Sequence, residues 1–83
     1  MNNNLLNFIN EKMMKLDNEI SIINAQLVIV DNGLYNKDVF KHLTQEEIYS
    51  LKYEFYKLEN KCNMLRNEYE NLNKIRLNVL GLI

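Results

Sequence analysis

The chain lacks proline and tryptophan, and it has one cysteine, one histidine and two glycines. Without proline, no position forces a helix to break. A lone cysteine excludes an internal disulfide, and the spacing of a metal-ligand set is absent. Gly33 and Gly81 stand far apart, which excludes a glycine-rich phosphate loop. His42 has no serine or cysteine near it and reads as a loop residue beside a helix start. No apolar run approaches the ~20 residues that span a bilayer. Ten basic and eleven acidic residues are mixed along the sequence, for a net charge of −1. No basic block is present to release counterions from a nucleic-acid backbone, and no polyacidic run imitates one. The opening Met1-Asn2-Asn3-Asn4 lacks the basic start and cleavage site of a signal peptide, so a cytoplasmic protein is the expectation.

The carboxylates do not form a catalytic set. Glu46 and Glu47 read as first-turn acids favoured by a helix dipole. Glu68 and Glu70 stand two apart and share no helix face. A metal-dependent hydrolase built from helices needs Glu-x-x-Glu or Glu-x-x-Asp pairs aimed inward. The inward positions here are apolar. The sequence therefore predicts no enzyme, no metal and no cofactor.

What the chain does have is two heptad tracks. The first is Leu6, Ile9, Met13, Leu16, Ile20, Ile23, Leu27 and Val30. The second is Ile48, Leu51, Phe55, Leu58, Cys62, Leu65, Tyr69 and Leu72. Steps of three and four put each track on one stripe of a helix, and each stripe must be buried against another. Cys62 sits on a stripe as a small hydrophobe. The pattern predicts an all-α chain of 83 residues in a single domain. Its long helices span roughly residues 4–31 and 45–80, with a short helical connector at 36–43. The connector is short enough to make the helices antiparallel.

Several local signals set these bounds. Asn32-Gly33 reads as a helix stop. Asn36 can cap a short turn whose Val39, Phe40 and Leu43 face inward. Thr44 and Glu47 have the spacing of a capping box, and Gly81 marks the far end. Glu11–Lys15 and Lys15–Glu19 have the spacing of opposite-charge pairs. A rival reading remains for residues 26–38: Gln26-Leu27-Val28-Ile29-Val30 is β-rich, and Asp31-Asn32-Gly33 suits a hairpin turn. Fifteen asparagines weaken local helix propensity, so packing must hold the second helix, and the bias fits an AT-rich genome. Arg76 falls on the second stripe, where Ile75, Val79 and Leu82 are expected to take over as the pattern drifts. The apolar tail from Ile75 to Ile83 should overhang a shorter first helix. Either residues 2–7 with Phe8 cover it, or a second subunit does.

Further apolar residues lie off both stripes. At 100° per residue, Tyr49, Tyr53 and Tyr56 point about 150° from the core of their helix. Ile22, Val28 and Ile29 point away from the first stripe, and Phe40 lies in the connector. Antiparallel pairing brings these clusters to the loop end. An apolar patch of that kind marks an interface, unless the connector folds over it. A small domain with neither disulfide nor metal gains stability by oligomerising.

Motifs of two small helical families are missing: the Trp-x-Gly turn and the Ser-Gln-Glu-Leu-Asp phosphatase motif. The architecture resembles plasmid RNA-binding hairpin dimers in shape alone. The expectation is a non-enzymatic hairpin that forms a homo-oligomer, first of all a dimer, and binds a protein partner. Its size and composition suit a regulatory or inhibitory protein of a phage or other mobile element. One alternative is an RNA-binding dimer that gathers Lys52, Lys57, Lys61 and Arg66 across subunits, although the charge balance argues against nucleic acid. The other is an oligomer that stacks a nucleotide-like ligand on the tyrosines.

Overall fold

The computed structural model describes residues 3–82. Three helices follow one another: α1 (Asn3–Tyr35), α2 (Lys37–Phe40) and α3 (Gln45–Val79). No strand occurs among the described residues, so residues 26–35 belong to the helix and not to a β-hairpin. α1 and α3 pack antiparallel, and α2 caps one end. Asn24 lies level with Cys62 and Arg66, and Gly33 lies against Leu51, which fixes the register.

All sixteen heptad residues are buried or half-buried. The buried ones are Ile9, Met13, Leu16, Ile23 and Val30 of α1, with Ile48 and Cys62 of α3. That is a single seam, since one stripe per helix is all a two-helix hairpin can cover. The result is a rod of 60 × 16 × 15 Å with a radius of gyration of 18.1 Å. A compact chain of this length has a radius near ~12 Å. The accessible surface is 6551 Å². A compact monomer of the same mass exposes about 5,200 Å².

The start of α2 and both ends of α3 have local causes. α3 begins with the full capping box. Glu47 N–H donates to Thr44 Oγ1 at 3.2 Å, and Thr44 N–H donates to Glu47 Oε1 at 3.0 Å. α3 ends at Gly81, whose φ of +75° is left-handed. There Gly81 N–H donates to the Asn78 carbonyl at 3.0 Å, and Leu82 N–H donates to the Leu77 carbonyl at 2.9 Å. These two bonds make a Schellman motif. Asn36, with extended backbone, caps α2 by accepting from Asp38 N–H at 3.0 Å.

Four expectations need correction. First, α1 does not stop at Asp31-Asn32-Gly33; it runs to Tyr35. Val30, Gly33 and Leu34 continue the stripe, and their burial outweighs the ~1 kcal/mol that glycine costs inside a helix. Asn32 stays helical and accepts from Asn36 through both its carbonyl (3.0 Å) and its side chain (3.2 Å). Second, the tail of α3 does not overhang. α1 has 33 residues against 35 in α3, so the start of one lies level with the end of the other. Asn2 and Ile83, at the edges of that expectation, lie outside the described residues. Third, the stripe does not move to Ile75 and Leu82, which are exposed; Arg76 keeps its place and is half-buried beside Leu77 and Val79. Its Nη2 donates to Asn73 Oδ1 at 2.8 Å, while its buried Nε has no partner. Fourth, Glu11–Lys15 and Lys15–Glu19 do not close. The ion pair found among the described residues is Lys41–Asp38, at 4.0 Å.

Candidate interaction surface

The capping box fixes where α3 starts and therefore the phase at which its side chains leave the axis. Tyr49, Tyr53 and Tyr56 point outward and are 62%, 69% and 63% exposed. Ile22, Val28 and Ile29 are likewise exposed on α1. The connector does not cover them. α2 holds no buried residue, and Val39 and Phe40 are themselves exposed, although Leu43 is half-buried.

The structure sorts these residues into separate surfaces. Phe40 and Tyr56 come together with Leu34, Tyr35, Lys52 and Phe55 around a groove of about 330 Å³. That volume lies at the small end of the range for ligand pockets. The rings of Phe55 and Tyr56 meet edge to face, with centroids 6.1 Å apart. A second groove adjoins the first through Phe55 and is lined by Asn24, Leu27, Val28, Asp31 and Arg66. Ile29 belongs to a third groove with Gln26, Val30, Glu54 and Leu58. Val28 and Ile29 are neighbours in sequence, yet they face different grooves because one residue turns the helix by about 100°. Tyr49 and Tyr53 belong to none of these three grooves.

The charges follow the same division. Lys52 is the one charged residue around the first groove, and Asp31 and Arg66 bring opposite signs to the second. Arg66 is partly tied down, since its Nη2 donates to Asn24 Oδ1 at 3.3 Å. Cys62 Sγ donates to the same oxygen at 3.6 Å, so Asn24 joins α1 to α3 by hydrogen bonds. Lys57 and Lys61 lie about 140° and 180° round α3 from Lys52, so the four basic residues of the RNA reading share no single face of one copy. At the start of α3, hydrogen bonds from the Thr44 backbone N–H and side chain hold the Glu47 carboxyl below its ordinary pKa. Among the described residues, no group of three or more histidine, cysteine or carboxylate side chains is placed to hold a metal ion. No described helix is long and apolar enough to cross a membrane.

Sequence reasoning missed Tyr35, which is 74% exposed and forms one wall of the first groove. The signal was present, because Tyr35 follows Val28 by seven residues and Asp31 by four, on one face of a continuous helix. Ending the helix at Asp31 hid it. The Asn24–Arg66 contact had no comparable signal. Compared with protein families, with curated proteins and with solved structures, the chain matches none.

Proposed function

We propose that this chain is a non-catalytic helical interaction module. It self-associates, and in that form it occupies the surface of a protein partner. The observation that carries this reading is the aromatic surface at the loop end of a rod that buries seven of its described residues. Tyrosine and phenylalanine present large apolar area with few rotatable bonds, and such residues are concentrated where proteins meet. Burying about 25 cal/mol per Å² of such surface supplies what a single seam does not. Small size and an asparagine-rich composition fit a regulatory or inhibitory protein of a phage or other mobile element. Sedimentation equilibrium at micromolar concentration tests self-association. A mass near twice the 10.0 kDa of the chain is the expected result, and a monomer across the concentration range refutes it.

The groove of about 330 Å³ also favours a second reading. A planar ligand would stack there on Tyr35, Phe40, Phe55 and Tyr56, and not on the Tyr49 and Tyr53 ridge. Native mass spectrometry of freshly purified protein separates the two readings. A stoichiometric small-molecule adduct supports the ligand, and a clean dimer mass supports self-association.

A further inference from the structure

We infer that the two grooves joined at Phe55 are the surface on which a second copy docks, through a two-fold axis at Phe55 that sets the first groove of each copy against the second groove of the other. This rests on the self-association proposed above and names its surface and symmetry.

Three observations carry it. The first is area. The rod exposes about 1,300 Å² more than a compact monomer of its mass, and a standard dimer removes about 800 Å² from each partner. The second is shape. The first groove is walled by aromatic rings, and the second presents Leu27 and Val28 beside the shared Phe55. A two-fold axis between adjoining grooves lays the rings of one copy across the aliphatic floor of the other. The third is charge. An isologous interface must be self-complementary, because every contact occurs twice with the roles exchanged. Lys52 borders one groove; Asp31 borders the other close to Phe55, while Arg66 of that groove lies further along α3 and is tied to Asn24 Oδ1. The axis at Phe55 brings Lys52 of each copy to Asp31 of its mate. Tyr49 and Tyr53 stay outside both grooves and remain exposed on the pair.

Charge exchange tests this without touching the seam, since both residues are exposed. Asp31→Lys puts lysine against Lys52, and Lys52→Glu puts glutamate against Asp31. Each single variant should dimerise roughly tenfold more weakly than the unaltered chain in sedimentation equilibrium at low salt. An equimolar mixture of the two should regain the original affinity, because both pairs in the mixed dimer are then opposite in sign. The double variant should also regain it alone, and circular dichroism should show equal helix content throughout. If the unaltered chain is monomeric, self-association itself fails and this interface with it. If the unaltered chain dimerises and both single variants match it, self-association stands and the Phe55 interface is overturned. Weak single variants that the mixture does not rescue overturn the two-fold arrangement.

Discussion

The two ends of the hairpin handle polarity in opposite ways. At the loop end the seam is apolar, through Leu27, Val30, Leu34, Ile48, Leu51 and Phe55, and aromatic side chains are left over outside it. At the open end a guanidinium occupies the seam itself, with Arg76 beside Asn73 and around a cavity lined by Asn10, Asp17 and Tyr69. A cation inside a seam is tolerated in few registers, because burying it without partners is costly. Arg76 should therefore discriminate among ways of pairing, while in the proposed assembly the loop end supplies the surface for contact. The two glycines show the same contrast. Gly33 keeps a right-handed helical backbone and lets Leu51 approach, whereas Gly81 turns left-handed and ends α3.

Breaking the seam should have the largest effect. Ile23 is 4% exposed, and Ile23→Ala should lower stability by about 3 kcal/mol in urea unfolding at fixed protein concentration. Tyr53→Ala, outside the seam and outside both grooves, should change it by less than about 0.5 kcal/mol. Similar losses from both would erase the distinction between seam and surface.

Replacing the seam cation should act in the other direction. Arg76→Leu removes the partnerless Nε and should be neutral or stabilising by about 1 kcal/mol. The same change should broaden the distribution of species in sedimentation velocity, since fewer registers are penalised. A marked loss of stability would show that Arg76 holds the open end together.

The glycines sharpen the contrast further. Gly81→Ala should cost about 1 kcal/mol, because alanine is strained at φ +75°. Gly33→Ala should instead gain about 0.5 kcal/mol. Its new Cβ would meet Leu51 Cδ1 at 3.2 Å, the far end of a flexible side chain that can shift, while the helix gains propensity. Thermal melts of the two variants should therefore move in opposite directions.

The smallest effect lies at the capping box. The pKa of Glu47 is lower in the folded chain than its ordinary value, chiefly through the hydrogen bond from the Thr44 backbone N–H. Its contribution is complete above that ordinary value and is lost as pH falls through the depressed folded value. Glu47→Gln should remove this part of the acid dependence of helix content seen by circular dichroism.

These contrasts also show what was legible beforehand. Helix type, the antiparallel seam, the Thr44–Glu47 box and the Gly81 stop follow from spacing and local chemistry, which act within a turn or two of chain. The end of α1 does not. Asp31-Asn32-Gly33 has the local chemistry of a stop, and only the burial of Val30, Gly33 and Leu34 against α3 overrides it. That one difference removed the expected overhang at the opposite end and concealed Tyr35. The outward direction of Tyr49, Tyr53 and Tyr56 was readable from helix phase. Their division from the groove of Tyr35, Phe40, Phe55 and Tyr56 depends on how α1, α2 and α3 meet.

Amide hydrogen exchange at low and high protein concentration compares the two ends in one measurement. If the loop end is where copies meet, protection should rise with concentration around Asn24–Tyr35 and Lys52–Glu59, while the open end, at residues 4–17 and 69–82, stays unchanged. An equal rise at both ends, or a rise confined to the open end, would contradict the account.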